Sequence, residues 1–101
     1  MKYNKLIRDK IPEIIKQDKK TPITHIAEDQ EYYKKLKEKL REEVNEFLKQ
    51  DTKEEFADIL EVIHAISDFK NFNKNQVNKI RENKAKKRGR FRDKIILDEV
   101  M

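Results

Sequence analysis

The chain has no cysteine, one glycine and two prolines in 101 residues. Without cysteine there is no disulfide, no thiolate metal site and no cysteine nucleophile. So few turn-forming residues argue against a sheet protein with many tight turns and favour helices. No run is long or apolar enough for a signal peptide or a membrane span. The expected location is therefore the cytoplasm, with no membrane partner. Apolar residues are scarce too, at 36% of the chain against 45% charged. A chain of this length forms one domain, residues 1–101, with a modest core. The shortage of apolar side chains points to a helical bundle completed by homo-oligomerisation, with apolar surface buried against another subunit. What the chain has in abundance is charge of both signs, 25 basic and 20 acidic residues with a net +5. That balance suits anionic ligands.

The pattern of apolar residues predicts an all-α, antiparallel bundle of about four helices. A short first helix follows residue 9, with Asp9 as cap and Pro12 in the first turn, where a missing N–H is tolerated. Residues 18–27 read as a loop containing a short β-like segment, Ile23–Ile26. Tyr33, Leu36, Leu40, Val44 and Phe47 recur at helical spacing and define a second helix over about 28–49. Asp51-Thr52 ends it. Thr52 then caps a third helix over about 53–70, whose main apolar face is Phe56, Ile59, Leu60, Ile63 and Ile66. Residues 71–75 break the pattern before a fourth helix that ends near Arg88, with Gly89 just past it. The last stretch, Phe91 to Met101, reads as a short strand or an extended arm.

The chemistry-bearing feature is a pair of acidic pairs, Glu43 with Glu46 and Glu55 with Asp58. Each has i,i+3 spacing, which places both carboxylates on one helix face. Both pairs border apolar residues, where an unpaired charge is costly. On the third helix the acidic face turns apolar one turn later, through Val62, Ala65, Ile66 and Phe69. A short loop makes the two helices pack antiparallel, so the pairs face each other. Four oxygen donors converging there suit Mg²⁺, which keeps waters and leaves room for substrate phosphates. The same residues also have an ordinary reading. Thr52-Lys53-Glu54-Glu55 is a capping box, and acidic residues favour a helix's first turn. Glu42, Glu43 and Glu46 can pair with Lys35, Lys39, Arg41 or Lys49 on the surface. Spacing alone leaves both readings open.

The wider pattern carries a resemblance. Glu42-Glu43-Val44-Asn45-Glu46 followed by Glu55-Phe56-Ala57-Asp58 matches EExxE…ExxD, the motif of the MazG-like all-α nucleoside triphosphate pyrophosphohydrolases. The opening, Tyr3-Asn4-Lys5-Leu6-Ile7-Arg8-Asp9-Lys10-Ile11-Pro12-Glu13, resembles the YNKLVRDKIPE start of the phosphoribosyl-ATP pyrophosphohydrolase-like branch. Lys84-Ala85-Lys86-Lys87-Arg88-Gly89-Arg90-Phe91 is similar to that branch's closing KAxxRGGF, with Arg90 in place of the second glycine. The resemblance spans nearly the whole chain. It implies Mg²⁺-dependent (or Mn²⁺-dependent) cleavage of a nucleoside triphosphate between the α and β phosphates, giving monophosphate and pyrophosphate. It further implies Glu43, Glu46, Glu55 and Asp58 as metal ligands, with Glu42 as an auxiliary that steadies a ligand or activates the water. A homodimer or homotetramer with sites near subunit interfaces is implied as well.

Six of the nine residues from Lys84 to Arg92 are basic. Lys84, Lys87 and Arg88 share a helix face and form a candidate phosphate clamp, with Arg88 able to bind oxygens bidentately. Lys5 and Arg8 add to it from the N-terminal segment. The helix dipole also favours cations in a last turn, so the patch has a purely structural reading. His25 and His64 are isolated and read as structural or surface residues. Tyr32, Tyr33 and Phe47 can stack on a base, but at helical spacing they read first as core. Two rival functions remain: a nucleic-acid-binding helical module using residues 84–92, and a non-catalytic helical interaction protein. The acidic second helix opposes a broad nucleic-acid footprint.

Overall fold

Helix-forming residues dominate the sequence, and the computed structural model, which describes residues 2–101, is all-helical among them. The helices are α1 (Ile11–Gln17), α2 (Asp29–Gln50), α3 (Lys53–Phe69) and α4 (Lys74–Arg88). The chain divides into two compact units, one ending at Lys70 and the other spanning Asn71–Met101.

In the first unit α2 packs on α3. Their connection is two residues long. Asp51 adopts the left-handed conformation (φ 54°) and returns its N–H to the Phe47 carbonyl at 2.8 Å. Aspartate is among the few non-glycine residues that tolerate that region. Thr52 is extended, and its hydroxyl accepts the Glu55 N–H at 3.2 Å, capping α3. So short a turn forces the helices antiparallel. The aromatic contacts show the register. Tyr32 and Tyr33 at the start of α2 meet Phe69 at the end of α3, while Phe47 meets Phe56 at the other end.

The core is small. Among the described residues only Leu36 (1% exposed) and Val62 are buried. Tyr33, Leu40, Val44 and Phe47 of the predicted α2 stripe are half-buried. On α3 the predicted face is only partly the inward one: its Ile59 and Ile66 are half-buried. Phe56, Leu60 and Ile63 are exposed, whereas Asp58, Ala65 and Phe69 are half-buried and Val62 is buried. The helix carries two apolar faces, and α2 covers the one that begins with the carboxylates. On the other face Leu60 and Ile63 stay exposed, and Phe56, half of its surface exposed, keeps only its edge contact with Phe47.

Two local expectations change. Asp9 does not cap α1. The N-cap is Lys10, without a side-chain bond, because a backbone turn already joins the Ile11 N–H to the Arg8 carbonyl at 3.0 Å. Neither Ile23–Ile26 nor the stretch after Phe91 is a strand; no strand occurs among the described residues, so their β-like side chains have no ladder to join. Ile23 and Phe91 are each 97% exposed.

In the second unit, α4 starts at Asn73, whose side chain accepts the Gln76 N–H at 3.1 Å. It ends at Gly89, at φ 82°, with its N–H on the Ala85 carbonyl. Val77 and Ile80 lie exposed on it. No helix of the described chain is long and apolar enough to cross a membrane.

Candidate metal centre

The antiparallel register sets Glu43, late in α2, opposite the first turns of α3. Glu43, Glu55 and Asp58 each present a carboxylate oxygen, and the three oxygens lie within 4.8 Å of one another. All three residues are half-buried. Octahedral coordination at about 2.1 Å separates neighbouring ligand oxygens by about 3 Å and opposite ones by about 4.2 Å. The 4.8 Å limit encloses that range. A donor set of three carboxylates, with no nitrogen or sulfur, matches a hard divalent cation such as Mg²⁺ or Mn²⁺.

Electrostatics single out Glu55. Its carboxyl is pushed above the usual carboxylate range, first by loss of solvent and then by the charges of Asp58, Glu46, Glu43 and Glu54. A cation placed among these groups removes the repulsion that raises it. Only one half of the capping box forms, and it does not use the Glu55 carboxylate. Thr52 uses the Glu55 backbone N–H, while the Glu55 carboxylate lies with the other two.

Not all of the predicted quartet converges. Glu46 lies outside the group of three and acts on Glu55 through its charge. Glu42 is held by two lysines, Lys5 at 3.2 Å and Lys39 at 3.7 Å. Lys39 also reaches Glu43 at 3.4 Å, so the surface-pair reading of these glutamates holds in part. Arg8 donates to Asp58 Oδ1 from Nη2 at 2.9 Å. Arg8 is thus brought to the acidic cluster across 50 residues of sequence, and Lys5 to the neighbouring Glu42 across 37.

Beside the carboxylates runs a groove of about 280 Å³. Leu36, Val62 and Ala65 line it together with Leu6 and Ile7, and Arg8, Lys39, Glu43 and Asp58 supply its polar part. Sequence reasoning missed the role of Leu6 and Ile7 here. Their signals were an apolar dipeptide between Lys5 and Arg8 and their place in the opening motif.

Lys84, Lys87 and Arg88 lie on α4, in the last turns of the helix. Among the described residues no ion pair engages any of these three. Arg90, which replaces a glycine of the resembled motif, instead donates to Glu82 at 2.8 Å. His25 contacts both Glu31 oxygens at 3.0 Å on the surface, and His64 is exposed. Tyr33 stacks on Phe69 and is flanked by Lys37 and Lys70, at 4.6 and 5.0 Å from its ring centre.

Comparison of the chain with family models, with curated proteins and with solved structures finds no match.

Proposed function

We propose that the protein is a Mg²⁺-dependent nucleoside triphosphate pyrophosphohydrolase, cleaving between the α and β phosphates to release monophosphate and pyrophosphate. The observation that carries this reading is the meeting of Glu43, Glu55 and Asp58 from two helices, beside a groove lined in part by Leu36, Val62 and Ala65. The EExxE…ExxD pattern and the resemblance of both chain ends support it.

In this reading Glu43, Glu55 and Asp58 hold the metal, which when bound neutralises phosphate charge and lowers the pKa of a coordinated water. Glu46 adds negative charge beside Glu55 and completes the set if its side chain swings inward. Glu42, tied to Lys5 and Lys39, orients the neighbouring Glu43. Arg8 and Lys5, at the edge of the cluster, meet the triphosphate oxygens, the guanidinium bidentately. No side-chain nucleophile is required.

The reading includes a homodimer or homotetramer in the cytoplasm. The exposed Phe56, Leu60 and Ile63, at successive turns of one α3 face, are the surface a second copy covers. The test is a panel of standard and modified nucleoside triphosphates with Mg²⁺, with pyrophosphate and monophosphate quantified. Equimolar release of the two products from at least one nucleotide is expected. Release of inorganic phosphate and a nucleoside diphosphate would contradict the assigned bond.

A further inference from the structure

The segment before α1 lies against the α2–α3 pair through contacts of two kinds. Leu6 and Ile7 are half-buried against the groove that Leu36, Val62 and Ala65 line. Around them, the Lys35 ammonium donates to the Asn4 carbonyl at 2.8 Å, Lys5 meets Glu42, and Arg8 meets Asp58. Asp58 is therefore claimed twice. One of its oxygens belongs to the three-carboxylate cluster, and its Oδ1 accepts the Arg8 guanidinium at 2.9 Å.

We propose that Arg8 and a divalent cation compete for Asp58, so that loading the carboxylate cluster releases the Arg8 side chain from α3. The inference rests on the metal reading of Glu43, Glu55 and Asp58. An ion about 2.1 Å from an Asp58 oxygen sits only a few ångströms from the guanidinium, and the two positive charges repel. Neither partner of the Arg8–Asp58 pair is buried, with side chains 57% and 39% exposed, so solvent can take over the guanidinium once it leaves. Linkage then works in both directions: whatever holds Arg8 on Asp58 weakens the metal, and the metal weakens Arg8 by the same factor. Lys5 differs. Its partner Glu42 is outside the cluster, so its positive charge acts on the metal only through space.

Mn²⁺ affinity is measured from the free-ion electron paramagnetic resonance signal in the wild type, Arg8→Ala and Lys5→Ala. An exposed ion pair of this kind accounts for up to about a five-fold change in an equilibrium constant. Arg8→Ala is expected to tighten Mn²⁺ two- to five-fold, roughly on that scale, and Lys5→Ala less. In parallel, ¹⁵N relaxation of the Arg8 side-chain Nε–H in the wild type is followed as Mg²⁺ is added, and the side chain is expected to become mobile. This second measurement stands even if Arg8→Ala fails to fold. Equal effects of the two substitutions, or an Arg8 side chain that stays ordered at saturating Mg²⁺, would overturn the competition while leaving the metal site intact. Failure of both the wild type and Arg8→Ala to bind Mn²⁺ would overturn the metal reading itself, and the competition with it.

Discussion

Leu36→Ala tests the packing that holds the carboxylates in place. Leu36 is the most buried side chain described, at 1% exposure, and it lies on α2 two turns before Glu43. Truncating a fully buried leucine costs roughly 2.7–5.0 kcal/mol, the larger values applying where a rigid cavity is left. The open groove beside Leu36 lets Leu6, Ile7 and Val62 close in, which places the cost near the lower end, about 3 kcal/mol. With a urea slope of about 1.5 kcal/mol/M, the midpoint then falls by about 2 M. Unfolding followed by far-ultraviolet circular dichroism measures this. Ile23→Ala, at a 97% exposed position, is the control and is expected within about 0.5 kcal/mol of the wild type. A Leu36→Ala midpoint no lower than that of Ile23→Ala would refute the α2–α3 packing from which the site is built.

Thr52→Ala removes the hydroxyl that accepts the Glu55 N–H and is expected to cost about 1 kcal/mol by the same urea assay. Glu55→Gln concerns pH. Because the folded chain holds a proton on Glu55 more tightly than the unfolded chain does, its ionised form opposes folding near neutrality. That penalty is absent below the unfolded value of about 4.3 and grows as pH rises through the raised folded value. Without divalent ions, Glu55→Gln should therefore melt higher than the wild type at pH 7, and the gap should close on acidification; a gap that widens would reverse the assignment. Leu60→Lys places a charge on the α3 face where Leu60 and Ile63 stay exposed. Sedimentation velocity should show an oligomer in the wild type and a smaller species in the variant, whereas a wild type monomeric at all concentrations would contradict assembly through this face.

Helical periodicity made most of the fold legible. The α2 stripe, the Asp51-Thr52 break and the Thr52 cap are local features, and each lies where the sequence places it. The inward face of α3 was harder to read, because the predicted stripe mixes Ile59 and Ile66, which are half-buried, with Phe56, Leu60 and Ile63, which stay exposed. Only the partner helix decides between two apolar faces, and it chose the one continuous with Asp58. The strand-like composition of Ile23–Ile26 misled for a related reason: β propensity expresses itself through neighbouring strands, and the described chain has none. In the site, i,i+3 spacing identified the carboxylates, but it could not show that Glu46 stands outside the tight group. Nor could it show that Arg8 reaches Asp58 across 50 residues. Such contacts depend on how the segment before α1 folds back, and no short-range pattern encodes that.

The most direct test is Mg²⁺-dependent pyrophosphate release by the wild type, Glu43→Gln and Asp58→Asn, with helicity checked in each. Under the proposed function, the wild type is expected to turn over at least one nucleoside triphosphate. A loss of at least about 100-fold is expected in both variants, with the helical signal retained, because each removes one of the three carboxylate charges proposed to hold the ion. Undiminished release by either variant, or no release from any nucleotide by the wild type, would contradict the proposed function.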